Sequence, residues 1–363
     1  MSLVSQLTTG RLGAWCAENL PGTGDLVQAI PAATRGVQPV RPEGRPPLEH
    51  YAAVGGMFGQ RLAFLVEPAP PYAAILGAQR ARMLGRADAV AAAAAFPTHR
   101  HLGERAGRAD SFRTTPSGLW DTGADQEMSG IPAAAANTAG REFFVELAAK
   151  VTALPVGGFT ADAREFALTE DLAMLTSWED MYRAGHMPDL ELDGPALIRE
   201  WKDLLIRTST GRALDTARSL VADPAAGRWG YASPTIVHRW AEADVLLGPD
   251  RAGGYTLLDI KTVSSVSDQQ KVARWLWQIL SYAWLDVTDR WRITRVGLWL
   301  ARHGVIVSWP VEQAAEILLG RATRGWGGKR AVRNARSAFL AHCNAAIRED
   351  GGQAPQEITL AFR

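Results

Sequence analysis

The stretch "YTLLDIKTVSS", residues 255 to 265, reads as a buried strand except at two positions, Asp259 and Lys261. Side chains alternate along a strand, so the two charges share one face, while Leu258, Ile260 and Thr262 take the other. Burying an unpaired charge is strongly unfavourable. The two residues therefore belong to one site, and its purpose must be sought among their neighbours.

Upstream, "TIVHRWAEADVLLG" (235–248) reads as a strand and "PDRAGG" (249–254) as a turn, so 235–262 forms a hairpin. Glu242 and Asp244 share a face of the first strand. If the polar faces meet, three carboxylates and an ammonium converge, a group that repels itself unless a divalent cation joins it. Hard carboxylate oxygens suit Mg²⁺ or Mn²⁺, at about 2.0–2.1 Å for magnesium. His238 stands at even spacing from Asp244 and so can face the same site or serve as a structural histidine.

Downstream, "QQKVARWLWQILSYAWLD" (269–286) has helical periodicity. Val272, Leu276, Ile279 and Ala283 make one apolar stripe, while Lys271, Arg274, Gln278, Ser281 and Tyr282 gather on another face. That face offers cations for phosphates, and an amide and a phenol for hydrogen bonds. "WRITRVGLWLARHGVIVSWP" (291–310) reads as two strands joined at "RHG", with Pro310 ending the second. Trp275, Trp277, Trp284, Trp291 and Trp299 read mainly as core, with one ring as a candidate base-stacking surface.

The ordered set Asp244, "DIK" at 259–261 and "QILSY" at 278–282 resembles the signature of the PD-(D/E)xK nuclease superfamily, in its RecB-like branch with a Q-x-x-x-Y helix. The D-x-K triplet alone is a weak signal; its order and spacing with the other parts make the stronger one. The resemblance implies an α/β (α+β) fold: a restriction-endonuclease-like core with a small mixed sheet flanked by helices, plus a large helical insertion. It further implies metal-dependent hydrolysis of DNA phosphodiester bonds, more as an exonuclease than a site-specific endonuclease, in repair, recombination or phage defence. Asp244, Asp259 and the Ile260 backbone carbonyl would hold Mg²⁺ or Mn²⁺. Lys261 would orient or deprotonate the attacking water, and Gln278 and Tyr282 would organise the site and contact the nucleic acid. Expected partners are single-stranded DNA or duplex ends, and a helicase or defence-complex protein.

Relatives in that branch carry a G-x-x-x-H helix upstream. Here Gly56 is followed by Gln60, a weaker neutral ligand, and Glu67 is a rival candidate for the metal. The departure motivates an alternative: a catalytically degenerate nuclease fold that binds nucleic acid or a protein partner.

The rest of the chain bounds these expectations. The 363 residues are 47% hydrophobic, which suits a folded globular protein. The organisation reads as one nuclease domain: an arm and linker (1–48), a helical insertion (72–225), a catalytic core (234–310) and C-terminal helices (311–363). Residues 1–30 read as a short helix and turn, and the Pro/Gly/Arg-rich 30–50 as a non-helical connector. Between the helices of the insertion, residues 114–140 read as a long loop. Net charge is +1, so DNA affinity must come from local patches. "RATRGWGGKRAVRNAR" (321–336) is such a patch, and Arg321, Arg324, Lys329 and Arg330, with Lys271 and Arg274, are the DNA-contact candidates. Two cysteines near opposite ends, Cys16 and Cys343, argue against a disulfide framework and exclude a four-cysteine iron–sulfur cluster. "GWGGKR" (325–330) fails the phosphate-loop spacing, "GTG" (22–24) lacks the third glycine of a dinucleotide fingerprint, and "HRH" (99–101) lacks companion ligands. The roughly 18 consecutive apolar residues of a membrane span are missing, so a soluble cytoplasmic protein is expected.

Overall fold

A computed structural model of the chain describes residues 2–44, 46–98, 112–115, 118–121, 138–155, 157–160, 162–185, 195–237, 240–320 and 326–350. Among the candidates above, His238, Arg321, Arg324 and the "HRH" stretch lie outside the described residues. The architecture is mixed α/β. The chain divides into two compact units: Met1–Pro39, Ser219–Ala222 and Ser233–Arg363 form the first, Val40–Arg218 and Asp223–Ala232 the second.

In the first unit, the expected arm is part of the fold. Its helices are Leu3–Thr8, Arg11–Asn19 and Thr23–Thr34, more helix than the short one anticipated. Leu3 N–H donates to the Trp240 carbonyl (2.8 Å), Gly22 N–H to the Leu318 carbonyl (2.9 Å) and Trp277 Nε1 to Thr23 Oγ1 (3.0 Å). Helix also runs through Pro31, at the start of the expected connector; the proline gives up a single backbone hydrogen bond near the helix end, where a break matters least. Cys16 and Cys343 are free and buried, and burial raises both thiols above their ordinary range. Cys343 also feels Cys16, so residues far apart in sequence are neighbours in space.

The segment 235–248 is three pieces rather than one strand. β4 (Thr235–Val237) pairs antiparallel with β5 (Ala241–Glu242), and β6 (Val245–Leu247) follows separately. The break is stabilised locally: Trp240 N–H donates to the Val237 carbonyl and Ala243 N–H to the Pro234 carbonyl, both at 3.1 Å. β6 then forms the expected hairpin with β7 (Tyr255–Lys261), in register Val245↔Leu258 and Leu247↔Thr256. Asp250 closes the turn, its Oδ1 accepting from Ala252 and Gly254 N–H at 2.8 and 2.9 Å, with Gly253 at φ +80°.

β7 pairs in parallel with β8 (Ile293–Leu300), so the chain between them must cross over, and the Gln269–Leu285 helix makes that crossing. Asp268 caps the helix by accepting from Lys271 N–H (2.9 Å). β9 (Val305–Pro310) returns antiparallel to β8 after a tight turn, with Gly304 in the left-handed conformation (φ +61°). β7 thus lies between β6 and β8, and Thr256, Leu257, Leu258 and Asp259 are buried in succession. Gly297 lets β8 approach its neighbours closely: a Cβ there would lie 2.3 Å from the Val307 carbonyl oxygen and 2.9 Å from Leu258 Cδ2. Val311–Leu318 and Trp326–Glu349 complete the unit.

The second unit is largely helical, as the periodicity predicts, with Leu48–Val66, Tyr72–Arg80, Thr138–Thr152, Thr169–Ala184 and Pro195–Thr210 among its longer helices. Part of the expected loop is instead a hairpin, β1 (Phe112–Thr115) with β2 (Gly118–Asp121), and a short strand, β3 (Gly230–Ala232), ends the unit. Phe112, Thr114, Thr115 and Trp120 supply the aromatic and β-branched residues that favour strands. Arg61 and Glu165 form a buried ion pair: Nε and Nη2 of Arg61 both donate to the carboxylate at 2.6 Å. Among the described residues no helix is long and apolar enough to cross a membrane.

Candidate active site

Asp259 is 2% exposed on β7, and each of its oxygens meets a different side chain. Oδ1 accepts from Gln278 Nε2 at 2.9 Å, reaching from the crossover helix. Oδ2 lies 2.5 Å from Lys261 Nζ, two residues along the same face. That contact is ionic but poorly aligned, so Oδ2 is buried without a hydrogen bond of normal geometry. Burial raises the Asp259 carboxyl above its ordinary range, and the Lys261 charge offsets part of the rise.

Asp244 stands just before β6, beyond the Val245↔Leu258 pair, and its Oδ2 accepts from Ile260 N–H at 2.6 Å. The hairpin thus fixes one carboxylate against the β7 backbone between Asp259 and Lys261. The contact at Ile260 is through its N–H; a role for its carbonyl rests on the resemblance alone.

Gln278 links the rest. Its Nε2 also donates to Tyr282 Oη (2.9 Å), one turn further along the helix, and its Oε1 accepts from Lys261 Nζ (3.3 Å). The Tyr282 phenol is pushed well up, first by burial and then by the negative charges of Asp259, Asp244 and Glu242, while the Gln278 bond opposes the rise. All three carboxylates therefore act on one phenol. The polar face of this helix divides by depth: Gln278, Ser281 and Tyr282 are buried, Arg274 is half-buried and Lys271 exposed. Helical periodicity groups these residues but does not show that their C-terminal half points inward.

Two contributions carried no sequence signal. Lys261 Nζ sits 5.7 Å from the Trp275 ring centroid, with Lys271 Nζ 5.9 Å from the same ring. Buried Arg302 donates from Nε to the Thr262 carbonyl at 2.7 Å, holding the backbone just past Lys261. Among the other tryptophans, Trp284, Trp291 and Trp299 are buried and Trp277 half-buried, as core rings should be.

Gln60 and Glu67 belong to the second unit and have partners there. Gln60 Nε2 donates to Glu179, itself paired with Arg183 (2.6 Å). Glu67 caps the Leu48–Val66 helix and accepts from Ala232 N–H (3.3 Å), with Arg228 Nη1 at 3.8 Å. Lys329 and Arg330 are exposed on the Trp326–Glu349 helix. Lys329 lines a pocket of about 770 Å³ together with Arg333, Arg336, Asp289, Glu312 and Glu316, where acids oppose the basic side chains. Arg336 is structural, donating to the Trp284 and Asp286 carbonyls at 3.0–3.2 Å. This pocket includes Ile293 and Pro310, whereas Lys261 is level with Leu300. At ~3.3 Å per residue, Lys261 is about 23 Å along the sheet from Ile293, and Asp259, level with Leu298, about 17 Å.

The donor set suits a hard cation in part. Two carboxylates brought to neighbouring points of β7, one with an under-bonded buried oxygen, fit magnesium, which commonly takes one or two protein carboxylates and fills its shell with water and phosphate oxygens. Among the described residues, no group of three or more His, Cys, Asp or Glu side chains is placed to hold a metal ion. Compared with protein-family models, with curated proteins and with solved structures, the chain matches none.

Proposed function

We propose that the first unit is a divalent-metal-dependent nuclease of the RecB-like PD-(D/E)xK type that hydrolyses phosphodiester bonds of DNA. One observation carries this reading: Asp244, Asp259, Lys261, Gln278 and Tyr282, singled out by order and spacing, meet around one short length of β7. Asp244 and Asp259 would hold Mg²⁺ or Mn²⁺, with water and substrate oxygens completing the shell. When bound, such a cation acidifies water and neutralises charge that builds on the phosphate. Lys261 supplies a positive charge at the rim of the site, its side chain 18% exposed, where it can reach a phosphate oxygen or orient the attacking water. Gln278 keeps Asp259 and Lys261 in register, and Tyr282, held protonated, braces Gln278. Exposed Lys271 lies two turns before Gln278 on the same helix, its Nζ 5.9 Å from the Trp275 ring, and is suited to a backbone phosphate.

A second reading, a nuclease fold that binds without cutting, is favoured by the absence of a third ligand side chain among the described residues. Incubation of the full chain with linear and single-stranded DNA in Mg²⁺ or Mn²⁺ separates the two. Active protein releases nucleotides or shortened strands, and Asp259→Ala or Lys261→Ala abolishes this while melting stays cooperative. Intact DNA in every form and with both metals refutes the nuclease reading.

A further inference from the structure

The geometry points to Lys261 as an internal counter-ion that stands in for the metal and must be displaced from Asp259 before a divalent cation binds; this rests on the metal-dependent reading of the site. Asp259 Oδ1 is engaged by the Gln278 amide, whereas Oδ2 accepts no hydrogen bond and is the oxygen better placed to take a cation. Oδ2 is also where the Lys261 ammonium sits, at 2.5 Å. A magnesium ion at about 2.0–2.1 Å from the same oxygen would bring a dication against the ammonium, and the repulsion excludes both from that position together.

The contact has the character of a placeholder. It supplies charge, yet its alignment leaves Oδ2 without a normal hydrogen bond, so little directional bonding is lost when the ammonium gives way to a cation. Lys261 also has a place to move to. Nζ is already 3.3 Å from Gln278 Oε1 and 5.7 Å from the Trp275 ring, and the side chain reaches solvent. Displacement toward that rim carries the ammonium to where a substrate phosphate would lie, so metal entry and the arming of Lys261 become one event.

The test measures binding of the metal alone to the full chain, by calorimetry with Mn²⁺ and by melting with and without it. Lys261→Met and Lys261→Gln should bind Mn²⁺ about tenfold or more tightly than the wild type, because the competing charge is gone. Both should melt below the wild type without metal and gain more from Mn²⁺ than it does. Lys261→Arg should stay near wild-type affinity, and Asp259→Asn should remove binding from either uncharged variant. Equal or weaker binding by folded Lys261→Met and Lys261→Gln, with wild type still binding Mn²⁺, overturns the counter-ion role and leaves the metal site standing. Variants that remain unfolded at saturating Mn²⁺ overturn it too, since the cation then fails to replace the ammonium. No Mn²⁺ binding by wild type or variants overturns both this role and the metal-dependent reading.

Discussion

Replacing Gln278 with leucine tests the network where most of it converges. Gln278 is buried, donates to the Asp259 carboxylate and to Tyr282 Oη at 2.9 Å each, and accepts from Lys261 at 3.3 Å. A hydrogen bond to a charged group contributes about 1.5–3 kcal/mol and a neutral one about 1 kcal/mol. Leucine fills similar volume and recovers roughly 1 kcal/mol through its apolar surface, but leaves Asp259 Oδ1 buried without this donor. The expected net loss is about 2–3 kcal/mol. Urea unfolding should show it as a midpoint lower by roughly 1 M at unchanged slope. Gln269→Leu, at an exposed position on the same helix, serves as control and should change stability by no more than about 0.5 kcal/mol. With two compact units, two transitions are fitted, and Gln278→Leu should move the one belonging to the first. A shift no larger than that of Gln269→Leu would refute the claim that Gln278 holds Asp259 and Tyr282 together.

The second unit offers a matched experiment: Arg61→Met leaves Glu165 buried without its ion-pair partner and should cost about 3–5 kcal/mol in the other transition. Adding Glu165→Leu should restore much of that loss, and no restoration would mean that Arg61 acts through packing on Phe159, 4.4 Å beneath its guanidinium, rather than through charge. The cysteines give a pH test. Their folded pKa values are raised by burial, so their contribution to stability is fully present below the unfolded thiol range, about 8.5, and declines as pH rises above it. Melting temperature should therefore fall between neutral pH and about pH 10 more steeply in the wild type than in a Cys16→Ala/Cys343→Ala variant. Native protein should also resist iodoacetamide, and labelling at the rate of the urea-unfolded chain would contradict the burial.

What could be read from sequence follows the range over which each interaction acts. β7, the crossover helix, β8 and β9 are contiguous segments with clear apolar patterns, and Asp259, Lys261, Gln278 and Tyr282 all lie on the first two, so their convergence follows from one β-α unit. The break near 237–241 lacks a comparable pattern, since Trp240 is anchored from afar, its Nε1 donating to Asp350 at 3.0 Å. Gln60 and Glu67 failed to announce their partners for the same reason: Glu179, Arg228 and Ala232 are remote in sequence and fit no local period. Charge counting misled at Arg336, which belongs to a basic run but donates to carbonyls at the end of the crossover helix. Net charge along a segment says nothing about which of its cations are already engaged.

Two ion pairs, one buried and one at the rim of the proposed site, contrast a structural use of charge with the counter-ion role proposed for Lys261. Glu165 accepts Arg61 through two bonds at 2.6 Å and a third from Thr160 N–H at 3.1 Å, while Arg61 Nη2 also reaches the Gly158 carbonyl at 2.9 Å. A pair so well bonded can recover most of what desolvating two charges costs. Asp259 and Lys261 do not approach that standard: the contact is single, badly aligned and set at the boundary with solvent. For stability alone, well-packed apolar residues at 259 and 261 would do at least as well, because a poorly bonded buried pair does not recover its desolvation. Nor would a merely structural pair explain why Asp244 is brought to the same backbone, or why an amide and a phenol are buried beside it. Under-bonding that is a defect in a stabilising ion pair is a requirement in a site that must exchange its counter-charge, and the "DIK" triplet is placed where such an exchange can occur.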